Sequence, residues 1–274
     1  MNHIKISVTC SKYEHDAPII KSIKKLIENG FRKAFFAVIV HGSMGTNEIQ
    51  NYSDFDGLLI IKDQYKDARL LMNFFRKSMR LIYGFEPLQH HGWFIIYESQ
   101  LKDYPQTYFP YELFNYSKTI YPDSSIEFEI ALRTHYDFNA PLEKLSNNIL
   151  NMIDFRRPTT LYELKGLLSQ FMLLPCLYIQ KKEQRGVFKR ESFDLLRKWV
   201  DKDDFKIMDE ISEIRSNWNY KLSPVQKWFL MRQNKYLRRV LIPLFSPRIP
   251  TETSRHFEDR LYREMKLFIK KIQN

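Results

Sequence analysis

Short apolar runs in the first half of the chain predict buried β-strands. The stretch 34–40 (AFFAVIV) is rich in aromatic and β-branched residues, and so are 57–61 (GLLII) and 93–97 (WFIIY). Residues 124–131 alternate apolar and acidic side chains, the period of two that is typical of a strand with one solvated face. These four segments predict a β-sheet in the first half of the chain.

Helical spacing of apolar residues fills the remainder of the chain. Positions three and four apart are apolar over 19–27, before the first predicted strand, and over 70–82, between the second and the third. After about residue 138 the strand patterns stop. Helices are predicted there over 142–153, 161–179, 193–200, 205–214, 224–230 and 256–272, with Thr159, Thr160 and Ser192 as helix caps. The pattern therefore predicts an α+β fold, a mixed-sheet domain at 1–137 followed by an all-helical bundle domain at 138–274.

The charge of the chain is unevenly distributed. Residues 1–137 hold 16 basic and 16 acidic side chains, whereas residues 138–274 hold 27 basic and 16 acidic ones, so the net charge of +11 lies in the second half. Such an excess favours a polyanionic partner, for example nucleotide phosphates, RNA or another acidic surface. Solvated, lysine-rich helix faces would produce the same count, and the charge alone leaves both interpretations open.

Composition excludes several classes of protein. With 44% hydrophobic and 27% charged residues, the chain has the composition of a globular protein. Its apolar runs are shorter than the roughly 18–20 residues that span a bilayer, and the N-terminal residues lack an apolar signal segment. Two cysteines, Cys10 and Cys176, are too few for a disulfide framework or a zinc cluster. We therefore expect a reduced, cytoplasmic protein without membrane contact.

One segment has the residues for phosphate and metal chemistry. Residues 38–45 (VIVHGSMG) form an apolar strand that ends in a Gly42-Ser43 turn, and 53–60 (SDFDGLLI) place Asp54 and Asp56 before the next strand. Carboxylates two positions apart project to the same side of an extended chain and repel each other unless a cation lies between them. Mg²⁺ takes few protein carboxylates and completes its shell with phosphates and water. A Gly-Ser turn that opens a helix offers N–H groups and a hydroxyl to a phosphate.

Simpler explanations exist for the same residues. Asp54 and Asp56 could belong to a solvated turn between two strands, and Ser43 could act only as a helix cap. His41 is expected to pack or to form the turn rather than to act as a base.

This order of strand, Gly-Ser turn, gap, Asp-x-Asp and strand resembles the signature of the DNA polymerase β-like nucleotidyltransferase superfamily. The resemblance covers about residues 35–62 by motif and about 20–135 by the order of elements. It extends to the whole chain if the second half matches the helical domains of small antibiotic adenylyltransferases.

The resemblance implies a Mg²⁺-dependent nucleotidyltransferase that moves an NMP, most simply AMP from ATP, to a hydroxyl or phosphate and releases pyrophosphate. In such an enzyme Asp54 and Asp56 would hold one or two Mg²⁺ ions, and Gly42 and Ser43 would contact the triphosphate. The first domain would be catalytic, and the basic helical domain would bind substrate or nucleotide. By the same resemblance Lys189 would reach the β- and γ-phosphates, with Lys182 and Arg190 as further candidates.

The sequence departs from the family pattern at one place. Family members usually have a third carboxylate on a later strand, but here that strand, 93–97, follows Leu88-Gln89-His90-His91. A neutral imidazole can act as general base, so His91 is the candidate, with Glu86, Glu127 and Glu129 as alternatives. A catalytically inactive nucleotide- or RNA-binding module with the same fold also remains open. RNA or tRNA, a protein and a small molecule all remain open as the acceptor.

Overall fold

The chain divides into two compact units in the computed structural model, which describes residues 3–106, 109–133, 136–232 and 235–273. The first unit runs through Tyr136 and also includes Lys227–Arg239. The second unit consists of Asp137–Gln226 and the residues from Val240 onward. Residues 227–239, which the charge and helix pattern place in the helical domain, group with the first unit.

The first unit contains a six-stranded mixed sheet. Its strands are β1 (His3–Lys12), β2 (Phe35–Val40), β3 (Gly57–Ile61), β4 (Phe94–Tyr97), β5 (Lys118–Tyr121) and β6 (Ile126–Arg133). The strands lie in the order β4-β3-β2-β5-β1-β6. The four predicted strands are confirmed as β2, β3, β4 and β6. Two strands were not predicted: β1, although its apolar residues alternate with polar ones, and β5, which has only four residues.

The pairing of β2 with β3 determines where the Gly-Ser turn lies. These strands are antiparallel, with Val40 opposite Gly57, and β3 pairs with β4 in parallel. The end of β2 is therefore next to the start of β3. Because of this register, the turn after β2 and the two aspartates before β3 are at the same edge of the sheet.

Two layers cover the faces of the sheet. Helices α1 (Pro18–Glu28) and α3 (Arg69–Phe85) pack on one face, and the four-residue helix α2 (Gly42–Gly45) follows β2. The short 3₁₀ segments Glu98–Asp103 and Tyr111–Tyr116 cover the other face with aromatic and aliphatic side chains. Both predicted helices of this half are confirmed, since their isoleucine, leucine and phenylalanine residues point into the core as the spacing requires.

The second half of the chain is helical, which confirms the α+β fold class. Its helices are α4 (Asn139–Phe155), α5 (Leu161–Phe171), α6 (Leu174–Glu183), α7 (Lys189–Leu196), α8 (Lys202–Ser216), α9 (Pro224–Leu230), α10 (Lys235–Phe245), α11 (Thr251–His256) and α12 (Tyr262–Gln273). One π-helical turn, Phe257–Leu261, joins the last two. Within the described residues, no helix is both long enough and apolar enough to cross a membrane.

Several details of the helical prediction need correction. The single helix predicted over 161–179 is two helices, because Pro175 in the first turn of α6 has no N–H to continue α5. The analysis missed α10, whose interior contains Pro243. Ser192 is not a cap but lies inside α7, where its hydroxyl donates to the Lys189 carbonyl at 2.6 Å. Thr160 does cap α5, in a reciprocal capping box with Glu163.

We predict that Phe74→Ala lowers the free energy of unfolding by about 3–5 kcal/mol. Phe74 is fully buried on α3, and its ring lies 4.7 Å from the ring of Phe35 and 5.8 Å from that of Trp93, between centroids. Urea unfolding followed by circular dichroism measures the change. Met72→Ala on the same helix is the control, because Met72 is 71% exposed. Equal effects of the two substitutions would contradict the proposed packing.

Candidate active site

The Gly42-Ser43 turn lies directly against the side chain of Asp56. Gly42 has a φ of +56°, in the left-handed region that favours glycine, and a Cβ at this position would overlap Asp56 Oδ2. The His41 N–H donates to the Asp56 carbonyl at 3.1 Å, and the Gly45 N–H donates to the His41 carbonyl at 3.1 Å. Glycine is therefore required both for the conformation of the turn and for its close approach to the carboxylate.

Phe55 anchors the segment that bears the two aspartates. Its side chain is fully buried, and its ring packs edge-on against Trp93 at 5.0 Å between centroids. A Cβ at Gly57 would overlap both rings, so a glycine is needed there as well. Because the Phe55 ring is buried in the core, its neighbours Asp54 and Asp56 project to the opposite side, with side chains 10% and 23% exposed.

His91 lies next to both carboxylates. Its Nε2 atom is 3.3 Å from Asp56 Oδ1 and 3.8 Å from Asp54 Oδ2. His90 approaches from the same loop, with Nδ1 4.0 Å from Asp54 Oδ2. The structure therefore brings His91 next to Asp54 and Asp56, from which it is 37 and 35 positions away in the sequence. Their chemical roles stay predictions.

Gln89 connects the histidine loop to the aspartate segment. The Phe55 N–H donates to Gln89 Oε1 at 2.7 Å, and Gln89 Nε2 donates to the carbonyls of Phe55 and His91, both at 2.8 Å. The side chain is 1% exposed. In the sequence Gln89 is only one residue of the loop before β4, since a glutamine has no periodic or motif signal that would assign it a role.

His41 is a packing residue, as the sequence analysis expected. Its ring lies 4.8 Å from that of Phe109 and 5.4 Å from that of Phe94, between centroids. The Nε2 atom is buried and makes no hydrogen bond to the part of the chain that the structure describes. Burial, together with the charge of nearby His91, lowers the pKa of His41 to about 3. The imidazole is therefore neutral at neutral pH.

The alternative candidates for the base lie in different surroundings. Glu127 and Glu129 are on β6, which three strands separate from β3. Glu129 pairs with Lys5 at 2.8 Å, and Glu127 accepts from the Ser7 hydroxyl at 2.7 Å. Glu86 follows α3, and its Oε1 accepts from the Leu88 N–H at 2.7 Å. The position of the two β6 glutamates gives no support to a role at the aspartate pair.

Lys189 and Arg190 belong to the second unit. They are the first two residues of α7, where Lys189 is half-buried and Arg190 is exposed. In the preceding turn, Arg185 pairs with Glu183 at 2.8 Å and with Glu191 at 2.9 Å. The phosphate-binding roles of Lys189 and Arg190 stay predictions.

The aspartate pair has the donor chemistry that Mg²⁺ accepts. Asp54 and Asp56 present carboxylate oxygens on one side of the segment, and Mg²⁺ is commonly held by one or two carboxylates together with substrate phosphates. No group of three or more His, Cys, Asp or Glu is arranged as a complete metal-binding cluster, as far as the described residues extend. The residues thus fit an ion that shares its coordination with a substrate.

Comparisons with known proteins show similarity in structure but none in sequence. No protein-family model matches the chain. No curated protein matches its sequence at a significant level. Among solved structures, the chain is similar to a spectinomycin adenyltransferase from Enterococcus faecialis, crystallised with ATP and spectinomycin. The similarity has a TM-score of 0.40 and 10% identity, and it covers 81% of this chain and 98% of that chain.

We predict that His41→Phe reduces the loss of stability in acid. The unfolded chain binds a proton at His41 below about pH 6.5, whereas the folded chain does not until about pH 3. Stability from the neutral imidazole is therefore complete above pH 6.5 and declines as the pH falls, by about 1.4 kcal/mol per pH unit. Phenylalanine preserves the ring and removes the titration.

Urea unfolding of the parent and of His41→Phe at pH 7, 6 and 5 measures this difference. The advantage of the variant over the parent should grow as the pH falls. His15→Phe replaces an exposed histidine and is the control. A constant difference between parent and His41→Phe across these pH values would show that His41 does not remain neutral in the folded state.

Proposed function

We propose that this protein is a Mg²⁺-dependent nucleotidyltransferase that moves an NMP, with AMP favoured, from an NTP to a hydroxyl or phosphate acceptor. The observation that supports this proposal most is the convergence at one edge of the sheet. There the Gly42 turn lies against Asp56, and His91 lies within 4 Å of both carboxylates. A phosphate-binding turn beside a carboxylate pair is the arrangement that metal-assisted phosphoryl chemistry needs.

Different residues of this edge would bind the metal and the triphosphate. Asp54 and Asp56 would hold one or two Mg²⁺ ions, and the Gly42-Ser43 turn would offer N–H groups and a hydroxyl to the triphosphate. When bound, Mg²⁺ would neutralise the negative charge on the attacking and leaving oxygens. Because the carboxylates are joined to a buried phenylalanine, their separation is set by the core of the unit.

The reaction would form one bond and break another at the α-phosphorus. The acceptor oxygen forms a bond to the α-phosphorus while the bond to the bridging oxygen of the β-phosphate breaks, and pyrophosphate leaves with the bonding electrons. A hydroxyl acceptor must also lose a proton. We assign that proton to the imidazole of His91, which lies beside the carboxylates.

The acceptor would be chosen by surfaces beyond this edge. Residues 138–274 hold 27 basic and 16 acidic side chains. This excess of positive charge favours an acceptor with phosphates, such as an RNA or tRNA end. Lys189 and Arg190 are the proposed contacts to the β- and γ-phosphates. Protein and small-molecule acceptors are alternatives that the following experiment separates.

The experiment that tests this function offers the protein each NTP in turn. Purified protein, Mg²⁺ and total cell extract are incubated with ATP, GTP, CTP or UTP labelled on the α-phosphate. Label on RNA, on protein or on a small metabolite identifies the acceptor class. Nucleotide binding without any transfer would instead favour the inactive module, for which the missing third carboxylate is the supporting observation.

We predict that Asp54→Asn and Asp56→Asn each reduce nucleotidyl transfer by at least about 100-fold, the effect of losing one electrostatic stabiliser in other enzymes. The metal-free free energy of unfolding should stay the same or rise slightly, because one of two repelling carboxylates is removed. Transfer assays and urea unfolding measure the two effects. Asp63→Asn, which affects a carboxylate bonded to Ser99, is the control. Parental turnover in Asp54→Asn would refute the metal assignment.

We also predict that His91→Ala lowers turnover by about 10²–10⁴-fold, the contribution of a general base. The acidic limb of the pH–rate profile should disappear with the imidazole. Glu129→Gln is the matched control, because Glu129 pairs with Lys5 on the far strands of the sheet. Loss of turnover in Glu129→Gln with full turnover in His91→Ala would show that the base assignment is wrong. Full turnover in both variants would indicate an acceptor that arrives deprotonated, such as a terminal phosphate.

A further inference from the structure

We propose that Gln89 and Arg238 are positioning residues that fix the aspartate pair and the histidine loop relative to each other. This inference rests on the proposed function, since it concerns the same site. It starts from hydrogen bonds rather than from a motif. The two residues lie far apart in the sequence, and neither contacts the reacting atoms in the mechanism proposed above.

The Gln89 side chain bonds both main-chain polar groups of Phe55, the residue between the two aspartates. The primary amide accepts from the Phe55 N–H and donates to the Phe55 carbonyl, as a neighbouring β-strand would. The same NH₂ group donates to the His91 carbonyl. One buried side chain therefore sets the distance between the carboxylate segment and the imidazole that faces it.

Arg238 holds the histidine loop from its other side. Its guanidinium donates to the carbonyls of Pro87 at 2.7 Å, Gln89 at 3.1 Å and Leu230. It also lies over the ring of Tyr83, 3.8 Å from the centroid, and the residue is 5% exposed. A buried guanidinium needs hydrogen-bond acceptors, and here Nη2 donates to the carbonyls of Pro87 and Gln89 in the histidine loop.

The two sets of bonds form one connected path. Arg238 bonds the backbone of Gln89, and Gln89 bonds the backbone of Phe55, whose neighbours are the proposed metal ligands. Groups that orient ligating side chains typically contribute 10–100-fold to metal affinity or activity. An effect of that size is expected because productive geometry tolerates displacements of only about 0.5 Å.

Mn²⁺ binding detected by electron paramagnetic resonance tests the inference without any turnover, because Mn²⁺ accepts the same carboxylate ligands. We expect Gln89→Met, which keeps the length of the side chain and removes its hydrogen bonds, to weaken Mn²⁺ binding by about 10–100-fold. We expect Arg238→Met to weaken it in the same direction. The double variant should lose less than the product of the two single losses, because both act through Gln89.

The matched controls have similar contacts elsewhere in the chain. Gln100 accepts from the Tyr97 N–H at 2.8 Å, so Gln100→Met removes a comparable bond. Arg157 donates to the Ile153 carbonyl at 3.2 Å and lies over Tyr262, so Arg157→Met is the control for Arg238. Both controls should bind Mn²⁺ as the parent does. In transfer assays at saturating Mg²⁺ and NTP, the positioning variants should lower kcat and the two control variants should not.

Two gentler variants keep the test decisive if the first ones do not fold. Gln89→Glu keeps the acceptor of the Phe55 N–H, and Arg238→Lys keeps the positive charge. A folded Gln89 or Arg238 variant with parental Mn²⁺ affinity would overturn the inference while leaving the proposed function intact, provided that Asp54→Asn abolishes Mn²⁺ binding. A parent protein without any Asp54-dependent Mn²⁺ binding would overturn the proposed function and this inference together.

Discussion

The pairing of β2 with β3 is the constraint on which the candidate site depends. With Val40 opposite Gly57, the chain must leave β2 at the edge where it enters β3. The turn at Gly42 and the aspartates before β3 are therefore neighbours, although a loop of about ten residues lies between them. A shift of this register by one residue would exchange the side chains of one strand between the two hydrophobic cores that cover the sheet.

Burial of an aromatic ring makes one side of the aspartate segment apolar and the other side charged. Phe55 is held in the core against Trp93, and Trp93 in turn donates its indole N–H to the buried Ser78 hydroxyl at 2.9 Å. The apolar side chain of the Asp-Phe-Asp segment is thus fixed inside, which leaves both carboxylates on the other side. The free energy that positions the charged groups comes from the hydrophobic core.

The sequence was sufficient for the features that repeat or that have few physical solutions. Apolar runs and helical spacing located four of the six strands and both long helices of the first unit. The order of turn, gap and Asp-x-Asp indicated which side chains would meet, because a Gly-Ser turn and paired carboxylates at the ends of adjacent strands have few other arrangements.

The remaining features depend on tertiary contacts that have no local pattern. The strand β5 is too short for a periodic signal and exists because β1 and β2 lie on either side of it. Gln89 and Arg238 act through hydrogen bonds to main-chain carbonyls. Every residue has a main-chain carbonyl, so the amino-acid sequence of the acceptors gives no sign of these contacts. Pro243 lies within α10, where sequence rules would end a helix.

The return of Lys227–Arg239 to the first unit has a consequence for the order of events during synthesis. Arg238 lies 149 positions after Gln89, so the ribosome must add that much chain before their bond can form. At about 5–20 residues per second this takes roughly 7–30 s. The sheet and its aspartates can assemble early on the nascent chain, but the loop beside them receives the support of Arg238 only after these further residues have been added.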